Sequence, residues 1–244
     1  MKSIKSFVPN AISFLNLNSG VLAVIAALDG HLELSVGFVL LGIFFDFFDG
    51  LAARALDVKS ELGVQLDSFA DLITSGLAPG LLLMQLMVSA TFGASSSLSL
   101  FEAVMEQPLI LIGLFVPMGS AFRLGVFNID DSQSDSFIGL PTPANAILLS
   151  SLVLIESYQA ESFLAPLIHN SYLLMLIAVL SAFLLNAPVR LFSFKFANLS
   201  FKDNKLRILF VVLTVILLIV FKWSGIPMII LSYLLLGNWK SSKK

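Results

Sequence analysis

The sequence predicts an all-α integral membrane protein of about eight transmembrane helices. Three observations carry this reading. Of 244 residues, 57% are hydrophobic and only 12% are charged, with a mean hydropathy of +0.95; about a quarter of the residues in a soluble domain are charged. Apolar runs of membrane-spanning length recur along the whole chain. The basic residues fall in alternate connections, the pattern that orients membrane proteins.

In order, the runs are 11–28, 34–55, 63–88, 108–127, 144–155, 171–186, 208–221 and 226–237. The first follows Lys2 and Lys5 in the manner of a signal peptide, and the runs after it argue for an uncleaved first span. Runs 144–155, 208–221 and 226–237 are shorter than the ~20 residues an upright span needs. If the spans alternate, Lys2, Lys5, Arg54, Lys59, Arg190, Lys195, Lys202, Lys205, Arg207, Lys240, Lys243 and Lys244 share one side, and only Lys222 lies on the other. Connections 91–107 and 156–170 contain neither Lys nor Arg, and 95–99 reads as a plain exported loop. The expected topology is an inner-membrane protein with both termini cytoplasmic.

A net charge of -2 gives no basic bias toward nucleic acid. The absence of cysteine excludes disulfides, iron–sulfur clusters and thiolate zinc sites. His31 and His169 fall in connections and read as solvated. No linker or repeat divides residues 1–244, which form one expected domain.

Asp46, Asp49, Asp67 and Asp71 interrupt otherwise apolar helices. An ionised carboxylate at mid-bilayer costs roughly 2.5–3.5 kcal/mol, so four facing lipid alone would cost on the order of 10 kcal/mol. A shared divalent cation offsets this most simply, because hard cations select carboxylate oxygens. Asp46, Asp49 and Ala53 lie on one helix face at i, i+3 and i+7, and Gly63, Asp67 and Asp71 on another at i, i+4 and i+8. Asp46 precedes Arg54 by a helical depth of about 12 Å. Asp71 is similarly deep in the next span, so the four carboxylates can converge in a cleft open to the cytoplasm. Gly50 and Gly63 permit close approach, and Arg54 at the rim can pair with a phosphate. Structural ion pairing is the plain alternative, but Arg54 and Arg123 are the only bases within or at the ends of the first five spans. A metal-dependent membrane transporter is the alternative from a different functional class.

Read in order, the segment is Asp46-Phe-Phe-Asp49-Gly50-Leu-Ala-Ala53-Arg54, eight residues, then Gly63-Val-Gln-Leu-Asp67-Ser-Phe-Ala-Asp71. It fits D-x2-D-G-x2-A-R-x8-G-x3-D-x3-D at all eight fixed positions over 26 residues. The chain thereby resembles the CDP-alcohol phosphatidyltransferase family. Further stretches resemble its phosphatidylserine synthase branch: Pro9-Asn10-Ala-Ile-Ser13 with Asn16 and Gly20, Gly76-Leu-Ala78-Pro79, Arg123-Leu-Gly-Val-Phe127-Asn128, Phe137-Ile-Gly139-Leu140-Pro141-Thr-Pro143, and Leu191-Phe-Ser-Phe-Lys195-Phe. Val126 stands where that branch has a second arginine, and Thr74-Ser75-Gly76 replaces its S-F-G.

The resemblance covers residues from about 4 to 200 and implies a six-helix core with a peripheral C-terminal pair at 206–238. It implies transfer of a phosphatidyl group from CDP-diacylglycerol to the hydroxyl of L-serine, giving phosphatidylserine and CMP, within a homodimer among membrane lipids. Asp46, Asp49, Asp67 and Asp71 would bind two divalent ions, Mg²⁺ or Mn²⁺, with Asp71 also the general base. Gly50, Ala53 and Arg54, with Asn10 and Ser13, would line the nucleotide site. Arg123 would bind the serine carboxylate or a lipid phosphate, with Asn128 and Lys195 nearby. Pro141 and Pro143 shape a loop and start a helix. A sister enzyme acting on glycerol 3-phosphate or inositol phosphate is the alternative within the family.

Overall fold

The computed structural model describes residues 2–58, 60–129, 137–191 and 201–241; Lys59 and Lys195 lie outside the described residues. All eight predicted runs fall on helices. They are α1 (Lys2–Leu28), α2 (Leu32–Ala55), a rod made of α3 (Glu61–Asp71), a π-helical segment (Leu72–Leu77) and α4 (Ala78–Phe92), then a short α5 (Leu100–Glu106). A 3-10 segment (Pro108–Leu114) leads into α6 (Phe115–Ile129). There follow α7 (Thr142–Tyr158), the single-turn α8 (Ala165–Ile168), α9 (Ser171–Asn186), α10 (Phe201–Phe221) and α11 (Gly225–Ser241). The only pairing of extended chain among the described residues is a two-residue antiparallel contact, β1 (Phe137–Ile138) with β2 (Arg190–Leu191).

Among the described residues, five stretches are long and apolar enough to cross a membrane: Phe7–Leu28, Leu32–Ala55, Glu61–Phe92, Pro108–Ile129 and Arg207–Gly237. The last folds as two helices, α10 and α11, which turn at Lys222–Ser224 and pack on each other. The outward surface is apolar. Phe44, Phe47, Leu40 and Leu41 on α2 are exposed, as are Val211, Val215, Ile219 and Leu235 on the C-terminal pair. An apolar surface this continuous suits lipid and not water. The protein is an all-α integral membrane protein.

Two regions differ from the sequence expectation. The 95–99 connection is not wholly plain loop, because Ser99 caps α5 in a reciprocal capping box with Glu102. Those bonds also hold the Glu102 carboxyl below its usual range. The first helix begins well before residue 11 and carries Pro9 inside it. Pro141 and Pro143 shape the start of α7 as expected, with Pro141 at its N-cap.

The bundle is unequal end to end. The tight apolar core takes Ala23 and Ala27 from α1, Val36 and Val39 from α2, Leu82, Leu83, Leu86 and Met87 from α4, and Leu149, Leu152, Val153 and Ile155 from α7. All of these lie at the end away from the aspartates. Lipid removes most of the hydrophobic drive for helices to associate, so close packing of small residues does that work. At the aspartate end α1, α2 and the π-helical segment meet around Thr74. A Cβ at Gly20 or Gly42 would collide with the Thr74 side chain, so only glycine lets these three elements approach. Gly20→Ala should cost about 1–3 kcal/mol in packing, read as a lowered unfolding temperature in detergent.

Candidate active site

The cleft opens where α2 ends and α3 begins. Helix α2 closes with a left-handed Asp57 (φ 51), whose amide donates to the Arg54 carbonyl while that of Val58 donates to Ala53. This 5→2 and 6→1 pair stops the helix sharply and leaves Arg54 at the mouth. Ser60 caps α3, accepting from the Gly63 amide at 3.0 Å. The chain therefore reverses within a few residues and brings the two acidic faces together.

A cavity of ≈ 470 Å³ lies between α1, α2 and α3. Asn10, Ser13, Gly50, Ala53, Arg54 and Asp67 are among the residues lining it. Asp49 and Gly63 line it too. The open space beside Gly50, with nothing within 4 Å of a built Cβ, shows that this glycine faces the cavity and does not pack a helix. Gly63 allows Asn10 to come close, since a Cβ there would sit 3.1 Å from Asn10 Oδ1.

One carboxylate oxygen from each of Asp46, Asp49 and Asp67 lies within 4.8 Å of the others. Asp67 Oδ1 is buried with no hydrogen-bond partner among the described residues. Ser13 donates to Asp49 Oδ2 at 2.6 Å and fixes that side chain from α1. Among the described residues no Lys or Arg forms an ion pair with these carboxylates, so structural ion pairing finds no partner there. An all-carboxylate oxygen set with an unpartnered buried oxygen fits a hard divalent cation.

Asp71 stands beside this triad. It is buried, accepts from Asn16 Nδ2 at 3.2 Å, and feels the charges of Asp67 and Arg123. Arg123, on α6, is also buried. Asn128 does not face the cavity: its amide donates to Ser68 Oγ at 2.9 Å and ties α6 to the helix carrying Asp67 and Asp71. Val126 is half-buried on the same helix. His169 pairs with Glu156 at 2.9 Å and His31 precedes α2, both away from the triad.

Sequence reasoning missed two features. Asn16 reaches Asp71 directly, and the signal was present in the α1 spacing Asn10, Ser13, Asn16, Gly20, which keeps one face. The π-helical segment directly after Asp71 left no pattern in the sequence. Such segments are frequent at functional sites, and here Thr74 Oγ1 donates to the Asn16 carbonyl at 3.1 Å, bracing the residue that holds Asp71.

Comparison with known proteins agrees with this geometry. The family model described as CDP-alcohol phosphatidyltransferase matches residues 6–184. A Bacillus subtilis protein named CDP-diacylglycerol–serine O-phosphatidyltransferase is 36% identical over 140 residues, covering 57% of this chain and 70% of that relative. An archaetidylserine synthase from Methanothermobacter thermautotrophicus is 31% identical over 166 residues, 66% of this chain and 64% of that one. A CDP-diacylglycerol–serine O-phosphatidyltransferase from Methanocaldococcus jannaschii is 35% identical over 158 residues, 64% and 66% of the two chains. The family match runs from α1 nearly to the end of α9 and takes in every helix that builds the cleft, so the chain belongs to the CDP-alcohol phosphatidyltransferase family.

Proposed function

We propose that the chain transfers a phosphatidyl group from CDP-diacylglycerol to the hydroxyl of L-serine, with release of CMP, at the cleft of Asp46, Asp49, Asp67 and Asp71. The observation that carries this is the convergence of three carboxylates, Asp49 and Asp67 of them lining a cavity with Arg54 at its mouth, inside a lipid-facing bundle. The relatives' names supply the substrates. Two are named for CDP-diacylglycerol and serine, and the third for archaetidylserine. Serine is common to all three.

The cleft suits a donor with two incompatible halves. The acyl chains stay in lipid beside α2 while the nucleotide enters the cavity. Gly50 and Ala53 leave room for it, Asn10 and Ser13 offer polar atoms, and Arg54 pairs with a phosphate at the mouth. The serine hydroxyl oxygen attacks the phosphorus that carries diacylglycerol. The bond from that phosphorus to the bridging oxygen breaks, CMP leaves, and the hydroxyl proton passes to Asp71. Asn16 orients the Asp71 carboxylate through Oδ1.

Members of the family use a divalent metal. Asp46, Asp49 and Asp67, with Asp71 at the margin, would hold it as two ions of Mg²⁺ or Mn²⁺. Bound there, it supplies charge compensation for the diphosphate oxygens. Arg123 receives the serine carboxylate, and Asn128 holds α6 in place for it. Lys195 lies outside the described residues, and the family resemblance alone makes it an acceptor-site candidate. The alternation of basic residues supports a cleft facing the cytoplasm and both termini on that side. The family resemblance supports a homodimer, and a domain of core plus C-terminal helix pair.

CMP release from CDP-diacylglycerol in detergent tests the reading. Release that requires L-serine supports it. Release with glycerol 3-phosphate or inositol phosphate instead would move the chain to a sister activity, and no release with any acceptor would favour a transporter. In the same assay Arg54→Ala should raise the KM for CDP-diacylglycerol about tenfold, the loss expected for one charge-assisted contact at an exposed rim. An unchanged KM removes Arg54 from the donor site.

A further inference from the structure

We propose that Asp57, the residue that stops α2, selects the nucleobase of the donor by accepting a hydrogen bond from the 4-amino group of cytosine. This deepens the reading of the cleft as a site for CDP-diacylglycerol and rests on it.

Chain order divides the cavity into two ends. Ser13 on α1, Asp49 on α2 and Asp67 on α3 line its inner end. Pro9 and Val64 come about one turn earlier on α1 and α3, and Asp57 and Val58 follow the last residue of α2, so these four line the outer end. The diphosphate of the donor belongs with the carboxylates, and its acyl chains leave into lipid. The nucleoside is left with the outer end. There Pro9, Val58 and Val64 offer apolar walls to a flat ring. Sites of this kind fix orientation with a small number of polar groups, and here those are Asn10, Ser60 and Asp57.

Cytosine and uracil differ at position 4, where one carries an amino donor and the other a carbonyl acceptor. Amides and hydroxyls both donate and accept, so Asn10 and Ser60 can satisfy either base. A carboxylate only accepts. It pairs with the amino group of cytosine and repels the carbonyl of uracil. Asp57 supplies that carboxylate at the cavity mouth. Its backbone is fixed, left-handed at φ 51, with its amide donating to the Arg54 carbonyl at 3.3 Å. Glycine is the cheapest residue for such a turn, and the chain carries an acid there instead. Arg54 and Asp57 both line the cavity, yet among the described residues they form no ion pair. Arg54 is therefore left for phosphate and Asp57 for the base.

The test uses the full chain in detergent at saturating L-serine with two donors, CDP-diacylglycerol and UDP-diacylglycerol. Release of CMP and of UMP gives kcat/KM for each. The variants are Asp57→Asn and Asp57→Gly, which keep the turn because asparagine and glycine both adopt a left-handed backbone. The native chain should favour the cytidine donor. Asp57→Asn should cut that preference about tenfold, the scale of one base-edge contact, mainly by gaining on UDP-diacylglycerol, since its amide can donate to the uracil carbonyl. Asp57→Gly should cut it to a similar extent by raising the KM for CDP-diacylglycerol, with kcat within about twofold of native. An unchanged preference in both variants would make Asp57 a helix stop only and overturn the proposal, while the donor reading stands. Equal use of the two donors by the native chain would overturn it as well. No CMP release from CDP-diacylglycerol with any acceptor would remove the donor reading and this inference with it.

Discussion

Asp71→Asn should lower turnover about a thousandfold, within the range expected for loss of a general base, while CDP-diacylglycerol still binds within about threefold of the native affinity. The two readouts are steady-state CMP release and equilibrium binding of the donor lipid. The expectation follows from the position of Asp71. Its carboxylate lies outside the group formed by Asp46, Asp49 and Asp67 and is oriented by Asn16. Asparagine keeps the shape and can still meet Asn16, but it cannot take a proton. If donor binding is lost along with turnover, Asp71 is a ligand of the donor site and not the base.

Asp67→Asn should act differently. Asp67 belongs to the triad, with one oxygen buried and without a hydrogen-bond partner among the described residues. Loss of a group that only supports a metal ligand typically costs 10–100-fold in metal affinity or activity, so loss of a direct ligand should exceed about 100-fold in both. A Mn²⁺ titration of CMP release reads this as a rightward shift that excess metal partly restores. The same variant should unfold at a higher temperature than the native chain when both are held in chelator, because one of three crowded negative charges, Asp49 buried and Asp46 and Asp67 half-buried, is gone. Equal metal dependence in the two proteins would remove Asp67 from the metal site.

These two expectations draw on different amounts of legible information. The eight apolar runs and their order could be read from hydropathy, and Asp46, Asp49 and Asp67 from helical spacing, because both depend only on local periodicity. The π-helical segment after Asp71 was not legible. It depends on how Thr74 fits against Gly20 and Gly42, two glycines on other helices. Asn128 points to a similar limit. Its place in a motif suggested the acceptor site, whereas the partner it meets, Ser68, is brought near only by the packing of α6 on the rod that carries Asp67. The inward turn of Tyr233 is likewise a tertiary fact, since its apolar neighbours on α11 give that helix no obvious buried face.

The measurement that bears most directly on the account is a chelation and re-addition experiment on the purified protein. Metal is removed with EDTA, and serine-dependent CMP release is followed as Mn²⁺ or Mg²⁺ is returned, in parallel with direct Mn²⁺ binding. The account predicts that activity disappears with the metal, returns on saturation of the site, and that binding and activity share one midpoint. Full activity in excess chelator, or Mn²⁺ binding unaltered when Asp46, Asp49 and Asp67 are all replaced by asparagine, would contradict it.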